Sequence, residues 1–315
     1  LHLVYESMGK VWYEKSTNNG INWTIMHGGK PLSDLESKNP SIEIIGSNNC
    51  VIAFQENSSG NSIVRVLNYN YEQDIVAAQE TFSHLVNDPY SYDANPVVKT
   101  SQYDANYPVI LLVYSKNASS KWDPLNGLVL SLGKLNAAVN KLGFDSQNYP
   151  YKEKMANSDA NSKNVTITNN WYYNHYYGNH FHIAWQQGAA VIKYQRLLWE
   201  EPEDILSSYD YAEPSSGATG YSNFKPSISM YGEYPVVVWV RQNIYTYIKE
   251  CALRIRFSSS SWSQFYSYGY GGGDDVDIAN INEGGSYDFI LAWGGYGNND
   301  KYLKSNSTTN TYTLA

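Results

Sequence analysis

Three features of this sequence predict an all-β fold. A short apolar run that closes on an aromatic residue and then turns polar occurs six times: HLVYES at 2–7, VIAFQE at 51–56, ILLVYSK at 110–116, HIAWQQ at 182–187, VVVWVR at 236–241 and ILAWGG at 290–295. The 315 residues hold 30 Tyr, 9 Trp and 8 Phe against only 22 Lys+Arg and 30 Asp+Glu. Aromatic and β-branched stretches are separated by Gly, Asn and Ser, the residues of turns. Finally, no apolar run approaches the ~20 residues that span a bilayer, so no membrane insertion is expected.

Each element can be justified in order. The closing aromatics Tyr5, Phe54, Tyr114, Trp185, Trp239 and Trp293 stand 49 to 71 residues apart, room for several short strands per repeat. Ahead of five of them lies a second pattern, NPSI at 39–42, NPVV at 95–98, NVTI at 164–167, KPSI at 225–228 and DVDI at 275–278, which the first copy lacks. Proline as the first residue of a strand loses no ladder hydrogen bond, so Pro40, Pro96 and Pro226 fit as strand openers. After each aromatic comes a third run, KVWYEKS at 10–16, SIVRVLN at 62–68, GLVLS at 127–131, AVIKYQR at 190–196, NIYTYIKE at 243–250 and KYLKS at 301–305. Several of these alternate apolar with polar residues, as a half-buried strand does.

Three recognisable strands and a variable fourth, repeated in this way, predict a six-bladed β-propeller of four-stranded antiparallel blades, folded as a single domain over 1–315. The inner strand is the opener, the second is the run closing on the aromatic, the third is the alternating run and the fourth is the outer edge. The second strand reads as nearly continuous apolar sequence because both its faces pack against neighbouring blades. Since the chain starts in the second strand of the first blade, the ring needs an inner strand from elsewhere. The candidates are Thr311–Ala315 or residues preceding Leu1. The insertion at 132–163, with LGKLNAAVNKLG, suits an outer strand or one short helical turn.

The turn after the third strand of the first repeat reads Ser16-Thr17-Asn18-Asn19-Gly20-Ile21-Asn22-Trp23. With Asn18 in place of aspartate it resembles the Asp-box pattern Ser-x-Asp-x-Gly-x-x-Trp. Ser16 and Asn18 supply side-chain acceptors, Gly20 a positive φ, and Trp23 an aromatic expected to pack into the blade. In register with the repeated strands, this makes the whole chain resemble the BNR-repeat, sialidase-like β-propeller superfamily. The resemblance implies an architecture rather than an active site, because the box is a folding device. It also implies bacterial export to an extracellular, periplasmic or cell-surface location.

Sialidases of that superfamily grip a substrate carboxylate with three arginines, one in an Arg-Ile-Pro motif, which is absent here. The matching openers carry Asn39, Asn95, Asn164, Lys225 and Asp275. Of five arginines, Arg65, Arg196, Arg254 and Arg256 are expected on solvated outer strands, and Arg241 alone at the channel rim. No catalytic residue is therefore assigned. A glycoside hydrolase or lyase would instead need two converging carboxylates among Glu6, Glu56, Asp93, Asp159, Asp274 and Asp275. His175, His180 and His182 lack partners at metal-site spacing, and no phosphate loop or cofactor motif occurs, so neither metal nor cofactor is expected. The net charge of −8 argues against nucleic acid. Cys50 and Cys251, each beside an apolar run, read as two buried thiols.

Loops between inner and outer strands of successive blades, and between second and third strands, gather on one face of a propeller. There the sequence places Tyr90, Tyr92, Asn95, Trp122, Gln186, Gln187, Tyr221, Asn223, Arg241, Gln242, Asn243 and Tyr296. Flat aromatic rings stack on sugar C–H faces, and amides donate to and accept from hydroxyls. The expected partner is a glycan or polysaccharide, bound without turnover. A scaffold binding protein partners is the remaining alternative, and the cluster Trp171–Tyr177 on the opposite face suits such a patch.

Overall fold

The computed structural model describes residues 1–58, 61–83, 94–101, 109–116, 127–136, 141–143, 152–154, 158–159, 161–170, 179–189, 191–200, 205–215, 219–231, 234–258, 261–263, 266–268, 272–283, 286–295, 301–306 and 311–314. The described residues are almost entirely strand, with one short 3₁₀ turn at His27–Gly29. They divide into two compact units, Leu1–Asn161 and Ser162–Ala315. Every strand pairing is antiparallel between chain neighbours or near-neighbours, as the repeat requires.

The first unit holds three sheets. The first is β1 (His2–Ser7), β2 (Lys10–Lys15) and β3 (Thr24–Ile25). In the second, β4 (Ser37–Ile45), β5 (Asn49–Ser58), β6 (Asn61–Asn70) and β7 (Ile75–Ser83) pair in that order. The third contains β8 (Val97–Ser101), β9 (Val109–Lys116) and β10 (Gly127–Asn136), with both β11 (Lys141–Gly143) and β12 (Lys152–Lys154) on the outer side of β10. Within the 132–163 insertion the described residues include two outer strands, β11 and β12, while residues 137–140 of the LGKLNAAVNKLG stretch lie outside the described residues.

The second unit repeats the plan. Its first sheet is β13 (Ser162–Asn170), β14 (Asn179–Gln187), β15 (Val191–Glu200) and β16 (Ile205–Ala212). Next come β17 (Tyr221–Tyr231), β18 (Tyr234–Asn243) and β19 (Lys249–Ser258), flanked by the short β20 (Ser261–Trp262) and β21 (Tyr266–Tyr268). Last are β22 (Gly272–Glu283), β23 (Ser286–Gly295), β24 (Lys301–Asn306) and β25 (Thr311–Leu314).

Two expectations need correcting here. NIYTYIKE does not form the third strand of its sheet: residues 244–248 make a turn, and the strand begins at Lys249. Its Ile/Tyr content mimics a strand locally, but the run Cys251–Ile255 is the one that pairs with the buried Val236–Val240. The C-terminal segment is not an inner strand of the first sheet either, because Thr311–Leu314 pairs with β24 at an outer edge.

The inner strands share a bulge that explains their sequence. Asn39, Asn95, Asn164 and Lys225 all hold a left-handed backbone, φ 54, 41, 50 and 49. The pairing of the inner with the second strand slips one residue or more at Lys38/Ser41, Lys163/Thr166 and Phe224/Ser227. Asparagine is the non-glycine residue best suited to that conformation, and proline next to it cannot disturb a ladder already interrupted.

The bulge is tied down by a buried glutamine one residue after the closing aromatic. Gln55 Oε1 accepts from Asn39 Nδ2 at 3.4 Å and from the backbone N–H of Ala94, at the start of the next sheet, at 2.8 Å. Gln186 Oε1 does the same, accepting from Asn164 Nδ2 at 2.8 Å and from Lys225 N–H, again in the next sheet, at 3.4 Å. Each amide nitrogen is also used, Gln55 donating to Ser62 Oγ and Gln186 to the Gly188 carbonyl, both at 2.7 Å.

Serines make a second repeated link. Ser37, Ser158 and Ser215, all buried, accept from the N–H of Val11, Leu128 and Ile192 at 2.8–2.9 Å, each early in a third strand. Between these polar ties the sheets share apolar cores. Val51, Ala53, Val64 and Val66 pack with Ile110, Leu112 and Val129. Val236, Val238 and Leu253 pack with Ile278, Phe289 and Leu291.

Both cysteines are free and buried, as expected, and burial pushes the Cys50 thiol up to about 12, which keeps it protonated and unreactive. The Ser16–Trp23 turn forms as a hydrogen-bonded unit. Ser16 Oγ accepts from Gly20 N–H at 2.9 Å, Asn18 Oδ1 accepts from Asn22 N–H at 2.8 Å, and Asn19 and Gly20 take φ of 57 and 86. Trp23 is 38% exposed, contrary to the expectation that it packs inward, and its indole N–H closes the turn on the Gly20 carbonyl.

Replacing Gln55 by Leu leaves the Ala94 N–H buried without an acceptor, and the expected cost is about 1–3 kcal/mol. Urea denaturation of the variant beside Gln55→Glu and the parent chain measures it.

Candidate functional site

The predicted binding residues separate once their partners are known. Tyr90, Tyr92, Trp122 and Tyr296 lie outside the described residues, as do the Trp171–Tyr177 cluster, His175 and Asp93. Most of the amides serve the fold. Gln186 is held as above; Gln187 Oε1 accepts from Ser162 Oγ at 2.8 Å and from the Trp185 indole at 3.2 Å. Asn223 is buried and accepts from the Trp239 indole at 2.8 Å. Asn95 holds a left-handed backbone just ahead of β8.

What the second unit brings together is a group around Arg241, at the end of β18. Arg241 lies opposite Glu250 on β19 and Asn223 on β17. Its guanidinium donates to the Glu250 carboxylate, which also accepts from Ser267 Oγ. The same guanidinium stacks 3.8 Å from the centre of the Tyr221 ring. Charge pairing and ring stacking together fix a planar, largely buried cation whose side chain is 13% exposed.

Directly beyond Arg241, the chain turns through Ile244–Ile248 and displays two tyrosines, Tyr245 at 79% and Tyr247 at 73% exposure, flanked by exposed Ile244 and Ile248. Gln242 and Asn243 shape this turn. Asn243 Oδ1 accepts from the N–H of Tyr245 at 2.9 Å and of Thr246 at 3.0 Å, while Gln242 Nε2 donates to the Tyr247 carbonyl at 3.1 Å. The backbone closes with Ile244 N–H to the Gly220 carbonyl at 3.1 Å and Asn243 N–H to the Ile248 carbonyl at 3.0 Å. Gly220 takes φ 78, a left-handed backbone that a side chain there would strain, and lies in van der Waals reach of the Tyr245 ring. The tyrosines therefore ride on a preorganised loop, which lowers the entropy lost when something docks on them.

Tyr245 and Tyr247 were hidden in sequence because Ile-Tyr-Thr-Tyr-Ile reads as strand. The available signal was the run CALRIR just downstream, apolar at Cys251–Leu253 and alternating over Leu253–Arg256, which accounts for the third strand without it.

The carboxylates and arginines also sort out. Glu56 is almost fully buried and takes two hydrogen bonds from Arg65, 2.5 Å from Nε and 2.8 Å from Nη2. Arg65 is thus half-buried and paired, and Arg256 is buried over the Trp262 ring at 5.0 Å, so the expectation of solvated outer-strand arginines fails for both. Long aliphatic stems let a guanidinium run along aromatic surface beside a sheet. Asp275 is exposed and paired with Lys225 at 3.0 Å. Among the described residues no group of three or more His, Cys, Asp or Glu is placed to hold a metal ion.

His180 and His182 do share a face of β14, with ring centres 6.3 Å apart. His182 is buried, its Nδ1 lies 2.8 Å from the Tyr194 hydroxyl, and desolvation, with smaller contributions from His180 and Arg196, lowers its pKa to about 3. It is a neutral core residue.

No protein-family model matches the chain, and no curated protein matches its sequence. Solved structures overlap with it only distantly. AofleA from Arthrobotrys oligospora is 8% identical, with 100% of this chain and 85% of that one covered and a TM-score of 0.46. A variant of Aleuria aurantia lectin in complex with alpha-methyl-L-fucoside is 10% identical, covering 100% and 93%, with a TM-score of 0.47. A GH43 endo-arabinanase from Bacillus licheniformis is 11% identical, covering 87% and 96%, with a TM-score of 0.42. At such values these likenesses carry no argument about ligand or activity.

The His182 environment predicts acid sensitivity. The native imidazole stays neutral while the unfolded one gains a proton below about 6.5, so stability is full above that pH and falls progressively toward pH 3. Between pH 7 and 4.5 the loss from this group is about 2–3 kcal/mol, and His182→Leu should flatten that part of the stability-versus-pH curve measured by chemical denaturation.

Proposed function

We propose that this chain is a carbohydrate-binding, non-catalytic β-propeller of six blades in one domain, of the BNR-repeat sialidase-like kind, acting outside the cell or at its surface. The observation that carries the reading is the Arg241–Glu250–Tyr221 group beside the displayed Tyr245 and Tyr247. Sugars need a flat apolar surface for one ring face and paired donors and acceptors for adjacent hydroxyls. An exposed tyrosine supplies the first. A guanidinium already neutralised by a carboxylate supplies the second, and such a pair favours a neutral diol over an anionic sugar, whose charge Glu250 would repel. Absence of the Arg-Ile-Pro motif supports binding without sialoside hydrolysis.

The test is an array of neutral and acidic glycans with mass spectrometry of whatever is retained. Intact neutral sugars are expected on the protein. Tyr245→Ala and Arg241→Ala should each weaken binding by about tenfold or more while leaving the circular dichroism spectrum unchanged, consistent with ~1–3 kcal/mol per lost stacking or charged hydrogen-bond contact. Retention of acidic sugars alone, or release of cleaved fragments, overturns the reading.

A further inference from the structure

Tyr247 stands where the backbone least accommodates it. Its N–H donates to the Asn243 carbonyl at 2.9 Å, closing a single helix-like turn, and Tyr247 itself takes φ 57. The residue that ends such a turn in left-handed backbone is normally glycine or asparagine, and a bulky side chain there is strained. Asparagine fills the same conformation at Asn19, Asn39, Asn95 and Asn164. Strain of this kind persists only where neighbouring contacts impose it, and it concentrates at binding sites. Here the contacts are the Gln242 amide, which donates to the Tyr247 carbonyl at 3.1 Å, and the Asn243 N–H, which donates to the Ile248 carbonyl at 3.0 Å. No burial offsets the strain, because Tyr247 is 73% exposed.

The loop presents two separate aromatic surfaces. Tyr245 is 79% exposed, and its ring lies within van der Waals reach of Gly220. Among the described residues neither Tyr245 nor Tyr247 touches another ring, each other included, and neither hydroxyl holds a hydrogen bond. The turn that carries them is fixed at its base, where Ile244 N–H donates to the Gly220 carbonyl at 3.1 Å and Asn243 Oδ1 accepts from Tyr245 N–H at 2.9 Å. A sugar ring stacks on one aromatic face at a time. Two rings held apart on a fixed turn therefore suit two sugars of one chain, and a single sugar leaves one ring unused.

We infer that this loop takes a neutral glycan chain, with separate sugars of the chain stacked on Tyr245 and Tyr247, and not a lone terminal sugar. The inference rests on the carbohydrate reading of the Arg241 group and specifies the form of ligand. Ile244 and Ile248, both exposed beside the rings, offer apolar surface to the C–H edges of the chain. Once one sugar is seated, its neighbour meets the second ring at high effective concentration, because the linkage is short and the turn is already ordered. Affinity should then climb steeply over the first few sugars and level off once both rings are covered. The left-handed Tyr247 has a use on this account: it puts a ring where glycine or asparagine would leave none.

The test measures affinity of the intact chain by calorimetry for glucose, mannose, galactose, xylose and arabinose, each as the free sugar and as its linear dimer to hexamer. At least one series should bind about tenfold or more tighter as trimer than as monomer, the gain of one added stack. Tyr245→Ala and Tyr247→Asn should each bind the trimer no better than the monomer, while Tyr247→Phe, which keeps the ring, should retain the preference. Asparagine suits left-handed backbone, so the urea midpoint of Tyr247→Asn should equal or exceed the parent's, and its lost preference then reports the missing ring and not a lost fold. Equal affinity for monomer and trimer, a preference that survives in Tyr245→Ala or Tyr247→Asn, its loss in Tyr247→Phe, or a lowered midpoint in Tyr247→Asn overturns the inference and leaves the carbohydrate reading standing. Binding of no neutral sugar at any length removes that reading, and the inference with it.

Discussion

A residue with left-handed backbone at the mouth of four inner strands is the constraint on which the rest of this structure depends. Asn39, Asn164 and Lys225 stand where the ladder slips, and the interruption frees amides to turn toward a neighbour. Gln55 and Gln186 occupy the space so made, each holding its own bulge and the backbone of the next sheet with a single oxygen. Burying a primary amide is costly unless it is hydrogen-bonded, and here both its oxygen and its nitrogen are engaged. The apolar cores on either side can then stay dry and close-packed.

This arrangement decides what is left for binding. The amides at the rim of the sheets are of a kind suited to hydroxyl groups, yet Gln186 is engaged in joining one sheet to the next and Gln187, Asn223, Gln242 and Asn243 in bonds within their own sheet or turn. One step farther out, Arg241 has its charge balanced by Glu250 and its plane held by Tyr221, and the exposed groups beside it are Tyr245 and Tyr247. The adjacent loop gains order from Gln242 and Asn243, so those two residues act through the position of Tyr245 and Tyr247.

The Ile244–Ile248 turn lies where the repeat is broken, in place of the first residues of a strand. Regular repeats satisfy their backbone internally, and departures from the repeat are where groups remain for something else to use.

How much of this was present in the sequence varies by element. Strand identity was, because an apolar run ending in an aromatic is buried on both faces whatever its neighbours, and the proline-marked openers are forced by the lost ladder bond at a bulge. Box-like turn geometry at Ser16–Trp23 was also present, since those hydrogen bonds are local. The Ile244–Ile248 turn was not, because a strand and an exposed hairpin tip of Ile and Tyr share the same local propensity, and only pairing of Cys251–Ile255 with β18 separates them. Nor were the burial of Arg256 and Glu56, which depends on aromatic and arginine partners brought in from other strands. By itself the sequence determined the strands, their order and the residues that terminate them, because those follow from local sterics and periodicity. Tertiary structure alone decided which polar groups are spent inside and which face outward, because a hydrogen bond between sheets has no signature in either segment that makes it.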